Sequence, residues 1–450
     1  MTVIAPVGRW PVAVPAHGIG GGRSDLPIPF NLALTAAAVV LVVSFVALAV
    51  LWPEPRLSGR AGWVLPLRAR RIVDSPFTHW SLRLLGLVLT AYVLVAAVGG
   101  PDDALNPTAG VVYVLFWVGV VAFASALFGP VWKVLNPVRT LYLLGCLLLR
   151  RDHREGLLPY PAALGYWPAS AGLLAFGWLE LVAPNRATLP VLRAWFMAYF
   201  GLMLIGSVVY GSRWFDRADG FQVASSLYGR LSVLGRRDDG PLVLRNPLNG
   251  LAAVVPASGL AATVCTMLGV TVYDSVSAST FWVKFVQEST VDRVLSGSVA
   301  LVSVVLLIFA LYSGAVWLAG TLGHSAGTAL PAAFAHTLVP IAFGYVVAHY
   351  WSLFVLVGQA TMQQLSDPLG TGADLLGIAD SGISYALVGA SFVAGLQVVA
   401  IVLGHVLGVV LAHDRGVALF PRRTAVLGQI PLLVLMIAFT VGGLLLLFTA

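Results

Sequence analysis

Apolar residues run in long unbroken blocks along most of this chain, separated by short polar stretches. The pattern is neither the period-2 alternation of a half-buried strand nor the one-sided stripe of a soluble helix. It is that of helices apolar on every side, and blocks of about 18 residues or more mark bilayer-spanning segments. Ten spans are predicted, near 30–52, 80–98, 110–128, 164–183, 189–211, 251–272, 294–320, 329–357, 384–411 and 426–448. The seventh to ninth exceed the roughly 20 residues a bilayer needs, so tilt or a kink is expected, with Pro340 as the kink site in the eighth. The expected fold is an all-α polytopic transmembrane helix bundle. Residues 29–450 form its single integral membrane domain and residues 1–28 an exterior N-terminal arm. The stretch 131–150 (VWKVLNPVRTLYLLGCLLLR) is apolar but bracketed and interrupted by cations. It reads as a cytoplasmic interfacial helix rather than an eleventh span, and 212–250 reads as a cytoplasmic loop.

Composition agrees. Of 450 residues, 59% are hydrophobic and 10% charged, against about 25% charged in a soluble domain. A soluble enzyme, a nucleic-acid binder and a disordered regulator are excluded, and the lipid bilayer is the first partner. The net charge of +7 is then a matter of position. Nineteen of the 26 basic residues fall in four alternate loops: Arg56–Arg71, Lys133–Arg154, Arg213–Arg245 and Arg415–Arg423. The opposite loops carry Asp102, Asp103, Asp274, Glu288, Asp292, Asp367, Asp374 and Asp380. Positive loops stay in the cytoplasm, so both termini are expected outside. The loop between the seventh and eighth spans carries no Lys or Arg and is the weakest point of this topology. Arg- and Ala-rich usage points to a GC-rich bacterial genome and hence a plasma membrane. Cys146 and Cys265 both lie in apolar stretches, where they read as buried small hydrophobes. A weak repeat, FGPVW after the third span and YGSRW after the fifth, suggests duplicated helix pairs. The first 16 residues hold an apolar run of about seven residues, short for a signal peptide. Cleavage before His17 would create an N-terminal histidine able to chelate copper through its amine and ring.

Ionisable groups inside a membrane are costly and mark interior sites. Four histidines qualify: His336 and His349 on the eighth span, His405 and His413 at the end of the ninth. His336 and His405 lie at similar depth, roughly 10 Å and 9 Å from the cytoplasmic side at 1.5 Å per residue. The pair, with His413 or Asp414, suits zinc, copper, iron or nickel. Haem b is an alternative. The 13-residue spacing of His336 and His349 turns them about 220° apart on an ideal helix, however, where about 320° would align two haem ligands. Hydrogen bonding across packed helices is the simplest account of all four. Glu180 is the one carboxylate read as intramembrane, and an ion pair with Arg186 or Arg193 is expected for it. Tyr345, Gln359, Gln397 and Gln429 add polar groups. The chain lacks G-x-x-x-x-G-K-[ST], H-E-x-x-H and C-x-x-C-H, so ATP-driven transport, zincin proteolysis and covalent haem have no motif.

Four stretches, HGIGGGRSDLPIP at 17–29, FGPVWKVLNPVR at 128–139, AHTLVPIAFGYVVAHYWS at 335–352 and GHVLGVVLAHDR at 404–415, give the chain a resemblance. It resembles, over nearly its whole length, a family of actinobacterial multi-pass membrane proteins commonly labelled fenitrothion hydrolase. The resemblance implies organophosphate ester hydrolysis, with His336, His349, His405 and His413 as the positions that matter and His17 behind them. Three functions are carried forward: a membrane metalloprotein with a site between the eighth and ninth helices, a haem b electron-transfer subunit working with other membrane subunits, and a permease.

Overall fold

The computed structural model describes residues 23–325, 327 and 329–449. His17 and the first 22 residues of the N-terminal arm lie outside them. The chain is an all-α polytopic bundle, as its apolar blocks require. Among the described residues nine helices are long and apolar enough to cross a membrane: α1 (Phe30–Leu51), α2 (Leu67–Gly99), α3 (Thr108–Phe128), α6 (Leu189–Tyr210), α8 (Leu260–Ala278), α10 (Arg293–Leu322), α11 (Leu330–Gln364), α12 (Ala390–Leu419) and α13 (Ala425–Phe448). Between them lie the shorter α4 (Pro137–Leu148), α5 (Trp167–Leu181), α7 (Gly220–Tyr228) and α9 (Thr280–Glu288).

The expected fourth span is α5, which has 15 residues, about 22 Å of helix. It is shorter than a lone span yet runs beside α8 from end to end. Ser170 meets Thr266 of α8, a Cβ on Gly177 would lie 2.6 Å from Val270 of α8, and Trp178 donates to Ser298 of the neighbouring α10. Burial among neighbours replaces the length a lipid-facing helix would need.

The sixth expected span, 251–272, starts too early. Residues Pro247–Ala252 form a separate short helix. Pro256 and the left-handed Gly259 (φ +75°) then interrupt the chain, and α8 begins only at Leu260. Proline lacks the N–H a helix interior needs, and glycine alone adopts positive φ freely. The shift carries Asp274 out of its expected loop and into the helix. The long α11 is interrupted just before Pro340, the expected kink site. This proline sits in the first turn of Val339–Gln364, just after the tight 3₁₀ turn Ala335–Leu338, where its missing N–H costs nothing.

The four basic loops gather at one end of the bundle. Strands β1 (Trp63–Val64), β2 (Leu234–Arg236) and β3 (Leu242–Leu244) form an antiparallel sheet in the order β1-β3-β2 that joins the first basic loop to the third. Arg139 reaches Asp216, Arg415 reaches Ala252 O, and Arg422 pairs with Glu54. The uncharged turn after α10 closes at this end too, where Thr424 donates to Gly323 O at 3.0 Å.

The stretch 212–250 is a folded unit. Its helix α7 is buried over nearly its whole length, with Phe221 set among Phe116, Trp117, Phe176 and Tyr199. Residues 131–150 split at Asn136 into a one-turn helix and α4. The faint repeat has a structural counterpart. Both α3 and α6 end on a glycine of positive φ (Gly129, Gly211), followed by a short helix. An Asn136 or Asp219 side chain then caps the next one. The two capping residues meet: Asn136 Nδ2 donates to Asp219 Oδ2 at 2.8 Å.

Candidate functional site

Three helices bring ionisable and hydroxyl side chains together in the half of the bundle toward the acidic loops. Helix α8 contributes Asp274 and Ser275. Helix α11 contributes Tyr345 and His349, which four-residue spacing puts on one face, and also Tyr350. Helix α5 contributes Glu180. All are buried, with Asp274 at 0% and Glu180 at 3% exposure. His349 Nε2 lies 2.9 Å from Asp274 Oδ2 and its Nδ1 lies 3.2 Å from Ser275 Oγ. Tyr345 donates to the same Ser275 oxygen at 2.8 Å. The phenol of Tyr350 stands near both Asp274 and Glu180, and the two carboxylates are close enough to feel each other's charge.

Hydrogen bonding is incomplete here. Asp274 Oδ1 and Glu180 Oε2 are buried and accept no hydrogen bond among the described residues. The expected Glu180 ion pair is not formed: Arg193 donates to Ala97 O and Val98 O, and Arg186 turns back to Leu181 O. His349 bonds Asp274, and Glu180 stands near that pair. A buried, unpaired charge costs several kcal/mol, and the economical relief in this interior is a proton. The constellation can hold and release protons between Asp274, His349 and Glu180, with Ser275 and Tyr345 orienting the ring. Ser–His–Asp nucleophilic chemistry fits less well. Ser275 is 1% exposed, and its oxygen already accepts from Tyr345, which leaves a substrate carbonyl no approach.

The four histidines part company. His349 joins the cluster with both ring nitrogens engaged, leaving neither for an iron or another metal. His405 Nδ1 meets Ile401 O at 2.8 Å within its own helix, and its Nε2 is buried without a partner. His413 Nε2 meets Trp52 O at 2.9 Å, while Asp414 accepts from Trp52 Nε1, Arg56 N and Leu57 N. His413 and Asp414 thus fasten the basic end of α12 to the chain leaving α1. His336 is buried in the 3₁₀ turn Ala335–Leu338 within α11. The facing helices there are very close: a Cβ on Gly404 would lie 2.6 Å from Pro340 O. Among the described residues no group of three or more His, Cys, Asp or Glu is placed to hold a metal ion. Of the four, His349 and His413 bond other protein groups through Nε2, while His405 Nε2 has no partner among the described residues.

Asp274 is the functional residue hidden from the sequence. Its signal was the Pro256–Gly259 interruption, which moves the start of α8 past 259 and Asp274 inside the membrane layer, level with the Tyr345/His349 face. Cys265 is fully buried and Cys146 half-buried, both as free thiols.

The fold and this site define a multi-pass membrane protein with a buried titratable centre. No family model matches the chain, and no curated protein or solved structure is significantly similar to it.

Proposed function

We propose that this protein is a proton-coupled permease of the bacterial plasma membrane, with the Asp274–His349–Glu180 cluster as its proton-binding centre. The observation that carries the reading is a pair of buried carboxylate oxygens, Asp274 Oδ1 and Glu180 Oε2, that accept no hydrogen bond among the described residues, beside one imidazole and with no Arg or Lys ion pair. Intramembrane ionisable residues of this kind mark ion pathways and proton relays. The apparently duplicated helix–break–helix units after α3 and α6 add support, since internal repeats are common in transporters.

The hydrolase reading implied by resemblance needs an exposed nucleophile or a metal-bound water. Ser275 is buried and already accepts from Tyr345, and no group of three or more metal ligands forms among the described residues, which supports transport over hydrolysis. Proteoliposomes provide the test. An acid-outside gradient should drive accumulation of labelled solutes from a panel of organic anions, cations and neutral compounds. Accumulation should fall at least about tenfold in Asp274→Asn and His349→Gln. No gradient-dependent uptake across the panel, or uptake unchanged in both variants, overturns the proposal.

A further inference from the structure

A cavity of about 860 Å³ opens at the acidic end of the bundle, between the α5–α6 turn and the segment running from α8 through α9 into α10. That volume is in the range that accepts a small organic ligand. Its walls are of two kinds. Trp282, Val283, Val286 and Val294 supply an apolar face, and Arg186 and Arg293 supply two cations; no acid lines it. The acids nearby in sequence are used elsewhere. Glu288 pairs with Lys284, Asp292 caps α10 through Leu295 N, and Asp102 accepts from Leu189 N. Among the described residues neither arginine forms an ion pair, and the Arg186 guanidinium makes a single long hydrogen bond, 3.4 Å to Leu181 O.

Two guanidinium groups that form no ion pair, beside an apolar wall, suit an anion with an apolar body. Planar guanidinium matches carboxylate and phosphate oxygens two at a time. The floor of the cavity is α9, which has Phe281 and Phe285 exposed on its outside. Such an amphipathic helix lies in the plane of the membrane interface, so the mouth sits where amphiphiles concentrate. Tyr273 lines the cavity one residue before Asp274, and Arg186 lies close enough to Glu180 to bias its charge. The cavity is therefore next to the proton-binding cluster.

We infer that this cavity binds an amphiphilic anion, its carboxylate or phosphate held between Arg186 and Arg293 and its apolar body against Val283, Val286 and Val294. The inference rests on the permease reading only in making that anion the cargo; binding is measured without transport. The protein in neutral maltoside detergent is titrated calorimetrically with decyl phosphate. Saturable binding is expected, weakened at least about tenfold in the Arg186→Gln/Arg293→Gln double variant and retained in the double lysine variant. Inorganic phosphate, which lacks the tail, should bind at least about tenfold more weakly. Val286→Glu leaves both arginines in place and puts an acid on the wall; it should abolish binding with an unchanged elution volume. Equal binding of decyltrimethylammonium, or wild-type affinity in both the double glutamine variant and Val286→Glu, overturns the inference. Native mass spectrometry separates the sources. Anionic phospholipid retained by the wild type and lost in the double variant identifies a lipid headgroup, whereas a lipid-free protein that binds decyl phosphate identifies a free amphiphile. Loss of binding with gradient-driven uptake intact removes this site and leaves the permease; binding without any uptake does the reverse.

Discussion

Two buried carboxylate clusters, one toward each end of the bundle, are built from similar parts and finished differently. Toward the basic end, Asp219 is fully buried and both its oxygens are used. Oδ2 accepts from Asn136 Nδ2 and the Tyr199 hydroxyl, and Oδ1 accepts from Phe221 N. Next to it Asp216 is neutralised by Arg139 and Lys133 and accepts from Gln222. Toward the acidic end, Asp274 pairs with His349 and Glu180 lies nearby, and each carboxylate leaves one oxygen without a donor among the described residues. A saturated cluster holds helices in register, because any change strands a buried partner. An unsaturated one has a vacancy that a proton fills and leaves. The contrast is one of completion: each oxygen of Asp219 has a donor, and Asp274 and Glu180 each keep one that does not.

The sharpest way to break the comparison is at the joint. Asn136→Ala removes the bond between the two repeated units and leaves Asp219 buried with one donor fewer. It should destabilise the protein by about 3 kcal/mol, since stranding a buried charged partner costs roughly 3–5 kcal/mol. Unfolding in detergent measures this, and a loss below about 1 kcal/mol would show the joint to be dispensable. His349→Gln should do the opposite: gradient-driven uptake falls at least about tenfold, while stability changes by less than about 1.5 kcal/mol because the amide still bonds Asp274 or Ser275. A large stability loss with uptake intact would make the two clusters alike.

Glu180→Gln offers a finer cut. An amide avoids the cost of a buried carboxylate, so stability should hold or rise by about 1 kcal/mol, and proton uptake by the purified protein should decrease. Destabilisation beyond about 2 kcal/mol would place Glu180 in the structural class. The smallest effect is in pH. Burial pushes the Asp219 carboxyl up to about 6, against the pull of Tyr199 and the backbone N–H groups of Phe221 and Gln222. A folded-state value above the unfolded one means that the proton favours the folded state. The contribution of Asp219 to stability is therefore full below pH 4 and is lost as pH rises through about 6. Asp219→Asn should flatten the dependence of melting temperature on pH in that window; an unchanged slope would mean that other groups set it.

Much of the architecture was legible in the chain. Blocks of apolar residues exceed what any other fold needs, and nine of the ten expected spans recur in order as long apolar helices, with the short α5 as the exception. The four Arg-rich loops, grouped by alternation, do meet at one end, because a helix that crosses the layer must return its connecting loops to alternate sides. The repeated FGPVW and YGSRW motifs recur as glycine-terminated helices with capping Asn136 and Asp219. The site was half legible. Glu180 and His349 stood out as ionisable residues in apolar sequence. Asp274 did not, because an averaged apolar window passes over Pro256 and Gly259, and moving the start of α8 to Leu260 turns a loop acid into a membrane acid.

By itself the sequence determined the class of protein, the order of its helices and the short list of costly polar residues, since water and hydrocarbon sort side chains by local composition. Which of those residues meet was decided only in the tertiary structure. His349 and His413 sit in comparably apolar sequence, yet one faces Asp274 and Ser275 while the other binds Trp52 O. Helix rotation and the close approach at Gly404 set that difference. Both depend on how neighbouring helices fit, and no stretch of one helix encodes the shape of the next.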